Sequence, residues 1–200
     1  MQDILAEKVA RQGASRNFWE RLLATLSGFG WVVKCVWILN ANPLATAEID
    51  ELTRVYTRDH ALALARHELE MARRYKLPFS IVFLDVDGLK NLNDMKGHAA
   101  GNRLLREMGT RLKSSQRLSD IIGRYGGDEF IIVLPQTGFE SAREYLKRMQ
   151  IDCVQVPFSF GIASEDWGSE KSTTLESLIS SADCEMYYQK RARKLAAAKS

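Results

Sequence analysis

The centre of the chain reads DIIGRYGGDEFIIVL, from Asp120 to Leu134. Two apolar runs, Asp120–Tyr125 and Phe130–Leu134, flank the turn Gly126-Gly127-Asp128-Glu129. A glycine-rich turn between two such runs is typical of a β-hairpin. The stretch therefore predicts two antiparallel strands joined at an acidic glycine turn.

Helices and strands alternate on both sides of this hairpin. Apolar spacing predicts helices at Arg58–Tyr75, Ala99–Ser114, Phe139–Met149 and Leu175–Lys194, and strands at Phe79–Val86 and Pro157–Ala163. After the first helix the order is β-α-β-β-α-β, the ferredoxin-like arrangement. We therefore expect an α+β fold with a central antiparallel sheet.

The N-terminal part of the chain has a different pattern. A helix is predicted over residues 1–27, and the β-branched and aromatic run Trp31–Leu39 predicts an extended segment. The apolar stretch from Leu22 to Leu39 is interrupted by Lys34 and is short for a membrane span. We expect a small appendage at residues 1–47, either dimerising or signal-receiving, followed by one domain at residues 48–200.

Composition limits the classes of function. The 200 residues are 46% hydrophobic and 26% charged, as in an ordinary soluble protein, and the net charge of +3 gives no indication of a nucleic-acid partner. Three cysteines, Cys35, Cys153 and Cys184, lack the spacing of a disulfide framework or a zinc site. With no signal peptide at the N-terminus, we expect a cytoplasmic protein, with peripheral membrane association left open.

Carboxylates are predicted to converge where the hairpin turns. Asp85 and Asp87 end a buried strand and face the same side, while Asp128 and Glu129 lie in the turn. Acids at such a place are unfavourable unless they are paired or bind a metal. Mg²⁺ takes one or two carboxylates with substrate phosphates, and two ions can hold the attacking and leaving oxygens of a phosphoryl transfer. The basic end of the last helix suits the same site, although a solvated basic tail is the alternative.

The segment Arg124–Phe130 resembles, letter for letter, the signature of the GGDEF family of diguanylate cyclases. The resemblance extends in order over about residues 48–194. The other matching segments are Asp50-x-Leu52-Thr53, the long motif from Asp85 to Gly101, the strand Ser159–Ala163 and the helix Ala182–Lys190. The resemblance implies the fold of nucleotidyl cyclase and polymerase-palm domains, and an enzyme that condenses two GTP into cyclic di-GMP across a homodimer.

The resemblance also implies catalytic and metal-binding roles. Asp85, Asp128, Glu129 and the main-chain carbonyl of Val86 would hold two Mg²⁺ per active site, with Mn²⁺ as a possible substitute. Asp128 would also accept the proton of the attacking ribose 3′-hydroxyl. Lys90 would neutralise charge that develops on the phosphates.

Further residues are implied as substrate contacts. They are Asn93, His98, Asn102, Gly126, Gly127, Lys190 and Lys194. Asn93 would face the base and Lys190 the terminal phosphates, and the two glycines would let the backbone approach the phosphates. For His98 the alternative is a residue that only begins a helix.

A product-binding site is implied by Arg117-Leu118-Ser119-Asp120, which resembles the inhibitory RxxD motif of the family. Arg148 lies where the family often supplies a second arginine. A guanidinium could bind guanine or phosphate of the product through two hydrogen bonds. The alternative is an ordinary surface pair between Arg117 and Asp120, which would contribute little to stability.

Some positions depart from the family pattern. Asn102 replaces an aspartate, Lys194 an arginine, Arg193 a glycine, and Arg54 and Thr57 the usual glycine and asparagine. A carboxylate offers two acceptors to guanine, whereas an amide offers one acceptor and one donor. Two alternatives therefore remain: a cyclase of altered base preference, and a weak or inactive domain that binds GTP or cyclic di-GMP and regulates a partner.

Overall fold

The computed structural model describes residues 48–152, 155–167 and 173–197. These residues form the strands β1 (Tyr56–Thr57), β2 (Phe79–Val86), β3 (Ile121–Arg124), β4 (Glu129–Pro135) and β5 (Phe158–Glu165), and the helices α1 (Arg58–Tyr75), α2 (Leu89–Lys96), α3 (His98–Ser115), α4 (Phe139–Asp152) and α5 (Leu175–Ala197). The predicted appendage at residues 1–47 lies outside the described residues, as does Cys153.

The five strands form one sheet in the order β1-β3-β4-β2-β5. Strand β1 is parallel to β3, and the other neighbouring pairs are antiparallel. Strands β2 to β5 thus have the ferredoxin-like order, which confirms the predicted fold. The hairpin of β3 and β4 is confirmed as well, and β4 lies directly beside β2.

Both faces of the sheet are covered by helices, because β2 is apolar on both sides. Ile81 and Phe83 belong to a core shared with α1 and α5, whereas Val82 and Leu84 belong to a core shared with α3 and α4. All four side chains are buried. Burial of each of these side chains contributes about 1.5–3 kcal/mol to the stability of the folded state. The central strand is therefore held firmly from both sides, and its carboxyl end is fixed in position.

Two elements differ from the sequence-based prediction. Helix α2 was not predicted as a helix, because its eight residues are too few to show a clear apolar period, and none of them is buried. It lies between Gly88 and Gly97, whose φ angles of 76° and 77° favour glycine. Strand β1 was also missed because it has only two residues. The other elements match their predictions to within a few residues at each end.

Helix α5 lies unusually close to β5. A Cβ at Gly161 would be 2.0 Å from the carbonyl oxygen of Ala182. Nearby, Glu185 accepts a hydrogen bond of 2.6 Å from the backbone N–H of Ile162. This contact fixes the position of the last turns of α5 relative to the end of β2. Over the described ranges, α5 and every other helix fall short of the combined length and apolarity that a membrane span requires.

Candidate active site at the end of β2

The glycine turn is fastened to the end of β2 by backbone hydrogen bonds. Asp85 lies opposite Glu129 in the pairing of β2 with β4. The N–H of Val86 donates to the carbonyl of Asp128 over 3.0 Å, and the N–H groups of Tyr125 and Gly126 donate to the carbonyl of Glu129. The predicted proximity of Asp85 to the two acids of the turn is therefore confirmed.

The acids of this site repel one another. Burial raises the pKa of Asp85, and the charges of Asp128 and Asp87 raise it further, against the opposing effect of Lys190. Burial also raises the pKa of Glu129, followed by the charges of Asp128, Asp85 and Asp183. The carboxylates thus share one electrostatic field, and a bound cation would relieve their repulsion.

Lys190 of α5 provides a cation at this position. Its Nζ lies 2.5 Å from Oδ1 of Asp85 and 3.9 Å from Oδ1 of Asp87. Asp87 also accepts a hydrogen bond of 2.9 Å from the hydroxyl of Ser159. Asp85 and Asp87 therefore face the same side, as their spacing predicted, and Lys190, the first residue of the basic segment, faces the acidic pocket.

The donor set suits a magnesium ion that also binds substrate. Among the residues with described side chains, no group of three or more His, Cys, Asp or Glu is gathered tightly enough to ligate an ion by itself. Mg²⁺ does not need such a group, because it usually takes one or two carboxylates and completes its shell with phosphates and water. Asp85 and the acids of the turn fit this requirement. Lys190 contacts one of these acids in the present arrangement.

Arg124 holds the turn from behind, a role that the sequence analysis did not assign. Its guanidinium donates to the carbonyl of Gly127 over 2.8 Å and to both carboxylate oxygens of Asp50 over 3.2 Å. Burial alone would raise the pKa of Asp50, but hydrogen bonds from Thr53 and the charge of Arg124 outweigh it and hold the pKa below its usual value. The motif Asp50-x-Leu52-Thr53 therefore supports the glycine turn through the Asp50 carboxylate.

One departure from the family pattern, Arg54 in place of glycine, falls where the backbone has a glycine-type conformation. Arg54 has a φ of 61°, in the left-handed region where a glycine would be relaxed. Its N–H donates to the carbonyl of Asp50 over 2.8 Å, which closes the turn around the Asp50 side chain. Arg54 therefore adopts the glycine-type conformation at some cost in strain.

A second arginine contacts the same turn from the side of α1. Arg58 lies over the ring of Tyr125, 4.3 Å from its centre, and donates to its hydroxyl over 3.2 Å. The ring of Tyr125 in turn meets Phe83 edge-on. Arg58 also lowers the pKa of Glu129, although burial and the neighbouring acids dominate. The sequence gives one indication of this contact, because Arg58 begins a helix and lies close to the motif Asp50-x-Leu52-Thr53.

The remaining substrate-contact candidates lie on α2, α3 and the turn. Asn93 is half-buried, and its Oδ1 is buried close to Gly101, with no hydrogen-bond partner among the residues that the structure describes. Lys90, His98 and Asn102 are exposed. His98 is the first residue of α3, so the structure is compatible with either role that the sequence analysis allowed. A buried acceptor of this kind normally has a donor, so the Asn93 oxygen is a candidate ligand contact.

The two glycines of the turn differ in their surroundings. A Cβ at Gly127 would meet no atom of the described residues within 4 Å, whereas one at Gly126 would lie 2.5 Å from the Glu129 carboxylate. Open space for a ligand therefore exists at Gly127, while Gly126 makes room for a neighbouring acid. Lys194 lies in α5, and its side chain is outside the described part of the structure.

The predicted inhibitory motif forms a tight turn between α3 and β3. Asp120 is only 3% exposed. Its carboxylate accepts the backbone N–H of Arg117 over 2.8 Å. Arg117 and Arg148 are exposed. The two guanidinium groups are accessible to a ligand, and the aspartate serves as a cap within the chain.

We expect Asp120→Asn to raise the melting temperature at pH 7 by about 1–3 °C, while Asp120→Ala lowers it by about 2–4 °C. Burial raises the pKa of Asp120, so the folded protein loses stability as pH rises through the interval between about 3.8 and that raised value. Asparagine removes this loss and keeps an acceptor for Arg117, whereas alanine removes the acceptor. Thermal unfolding between pH 4.5 and 8 measures both. A gain for Asn that stays constant as the pH approaches 4.5 would contradict the assignment.

Comparison with known proteins agrees with this geometry. The model of the family described as diguanylate cyclase, GGDEF domain, matches residues 47–195. Diguanylate cyclase DgcP of Pseudomonas aeruginosa is 36% identical over 113 residues, which are 56% of this chain and 16% of that protein. The chain spans between 16% and 53% of the lengths of five curated relatives that it matches.

Solved structures share this fold, among them the following two. Diguanylate cyclase SiaD of Pseudomonas aeruginosa, in complex with its activator SiaC, has a TM-score of 0.68 and 26% identity, and the match covers 96% of this chain and 76% of that one. A microbial GGDEF domain described for its interaction with cyclic di-GMP has a TM-score of 0.66 and 30% identity, and that match covers 74% of this chain and 92% of that one.

Proposed function

Since this chain belongs to the GGDEF family, we propose that it condenses two molecules of GTP into cyclic di-GMP and releases two pyrophosphates. The observation that carries the proposal is the meeting of Asp85, the Asp128–Glu129 turn and Lys190 at the end of one strand. Curated relatives that match over this region are named diguanylate cyclases.

The proposed metal ligands follow from the donor set. The family's enzymes use a divalent metal, which we propose is Mg²⁺, two ions per site, held by Asp85, Asp128, Glu129 and the carbonyl of Val86, with Mn²⁺ as a substitute. Bound there, the metal would stabilise negative charge on the phosphoryl oxygens. The Asp128 carboxylate would accept the proton of the ribose 3′-hydroxyl. The 3′-oxygen would then form a bond to the α-phosphorus of the other GTP as pyrophosphate leaves.

The remaining polar residues would hold the nucleotide. The orphaned oxygen of Asn93 supports a contact with an amino group of the base. Lys90 and Lys190 would neutralise the negative charge of the phosphates. The open space at Gly127 leaves room for these phosphates. His98 and Lys194 complete the proposed pocket. Most of the acceleration would come from positioning and charge neutralisation.

The stoichiometry of the reaction requires two active sites. One domain binds one GTP, whereas the product joins two, so we propose that two copies of the chain face each other in antiparallel orientation as a homodimer.

Product would also bind at the exposed Arg117 and Arg148 and slow the reaction, as in the family's inhibitory site. The buried cap formed by Asp120 would hold Arg117 in place for this contact.

A second candidate is a cyclase that also accepts adenine nucleotides. Asn102 is exposed on the first turns of α3, on the helix that also contains Gly101 beside Asn93. Its amide could pair with guanine through N1–H and O6, or with adenine through N1 and the 6-amino group. An aspartate would accept hydrogen bonds from both N1–H and the 2-amino group of guanine, a pair of donors that adenine lacks. Two amides, rather than an amide and a carboxylate, would then read the base.

The experiment is to incubate the purified protein with Mg²⁺ and GTP, ATP or both, and to identify products by chromatography and mass spectrometry. We expect cyclic di-GMP from GTP, and no product after chelation of the metal. A product that contains adenine would support the second candidate. Tight binding of GTP without any product would contradict both and would indicate a nucleotide-binding regulator.

A further inference from the structure

We propose that the ammonium group of Lys190 is an internal counter-ion that occupies Asp85 in the nucleotide-free protein and must leave before a metal ion can bind there. The inference rests on the proposed function, because it takes Asp85 as a metal ligand. It adds a competition that makes metal and triphosphate bind cooperatively.

The contact has the geometry of a specific ion pair. Nζ of Lys190 lies 2.5 Å from Asp85 Oδ1, within the range of a short charge-assisted hydrogen bond, across 105 residues of sequence. The side chains are only 28% and 14% exposed. The close packing of α5 on Gly161 and the bond from Ile162 to Glu185 hold the helix in place, so the lysine reaches Asp85 from a fixed base.

The surroundings explain why Asp85 pairs with a cation. Asp87 and Asp128 add negative charge to a carboxylate that is already partly buried. Without a counter-ion, the charged form of Asp85 would lose the compensation for its burial. Lys190 supplies the positive charge that Asp85 needs while the nucleotide is absent. A metal ion bound by the same oxygen would have to displace that ammonium group.

Displacement couples the two ligands. A triphosphate offers oxygens to the released ammonium group, whereas water alone compensates it less well. Triphosphate binding therefore frees Asp85 for the metal, and metal binding frees Lys190 for the triphosphate. Because such coupling is reciprocal, each ligand strengthens the binding of the other by the same factor. In the nucleotide-free protein, Lys190 should thus weaken metal binding.

The test measures Mn²⁺ binding to the full chain without nucleotide, by electron paramagnetic resonance. We expect Lys190→Met to raise the affinity for Mn²⁺ about five- to tenfold, a factor within the usual range of coupling between sites. Lys190→Gln should have a similar effect and provides a second variant if the methionine variant folds poorly. The gain should disappear when Asp85 is absent: the double variant Asp85→Asn, Lys190→Met should bind Mn²⁺ no more tightly than Asp85→Asn alone.

The matched control is Arg191→Met, which removes one positive charge from the same turn of α5. The guanidinium of Arg191 lies over the ring of Tyr187. We expect this variant to change Mn²⁺ affinity less than about twofold, because exposed charges are well screened. An unchanged or lower affinity in both Lys190 variants, an equal gain in Arg191→Met, or a gain that persists without Asp85 would overturn the proposal. The titration uses no GTP, so its failure is distinct from a failure to form cyclic di-GMP.

Discussion

Asp128→Asn is expected to lower the rate of cyclic di-GMP formation by at least about a thousandfold, since loss of a general base alone costs about 10²–10⁴ in rate. Asparagine has the same size but neither accepts the 3′-hydroxyl proton nor balances a metal charge. The backbone carbonyl that bonds to Val86 remains. Initial rates from GTP, quantified by chromatography, measure the effect.

The control for this variant is Glu140→Gln, which also removes one negative charge. Glu140 is exposed in the first turn of α4 and, among the described residues, forms an ion pair with Arg143 on the same helix. Its rate is expected to stay within about twofold of the wild type, because exposed pairs contribute little. Both variants should unfold at nearly the same temperature as the wild type. Retention of more than a tenth of the rate in Asp128→Asn would rule out Asp128 as the proton acceptor.

Gly161→Ala is expected to lower the free energy of unfolding by about 3 kcal/mol, which is roughly 6–12 °C in melting temperature. The added Cβ would lie 2.0 Å from the carbonyl oxygen of Ala182 and 2.5 Å from the backbone nitrogen of Met186. Both are backbone atoms of α5, so the helix itself must move away from β5. Lys190 on the same helix would move with it, and the pair with Asp85 would weaken.

Gly138→Ala is the matched control. A Cβ there would meet its nearest neighbours at 3.5 Å and 3.8 Å, which is ordinary contact. Its stability is expected to change by less than about 1 kcal/mol, and restriction of the unfolded chain favours a small gain. Calorimetric unfolding of both variants gives the comparison. Equal melting temperatures would show that α5 adjusts to the methyl group without strain.

The sheet was predictable because its strands carry strong local signals. Ile81 to Leu84 form an unbroken apolar run, and the turn at Gly126 has the composition of a hairpin. The ferredoxin-like order then followed from the alternation of elements. Helix α2 and strand β1 could not be predicted in the same way, because both are short and their positions depend on neighbours distant in sequence.

The acids of the candidate site were predictable, whereas their supports were not. Asp85 and Asp128 stand at strand ends in the sequence, and strand pairing brings them together. Arg124 contacts Asp50 across 74 residues, and Lys190 contacts Asp85 across 105. Composition and spacing predict a charge at each position but not its partner. Such pairings depend on how the helices pack, which a local pattern does not encode.

The tie between Asp50 and Arg124 limits how the protein can be shortened. Asp50 comes before every strand of the sheet in the sequence. Its carboxylate nevertheless holds the guanidinium of Arg124, which donates to the carbonyl of Gly127. A fragment that begins after residue 50 would retain all five strands and lose the brace of the glycine turn. Truncation from the N-terminal side would therefore damage the candidate site before it damaged the core.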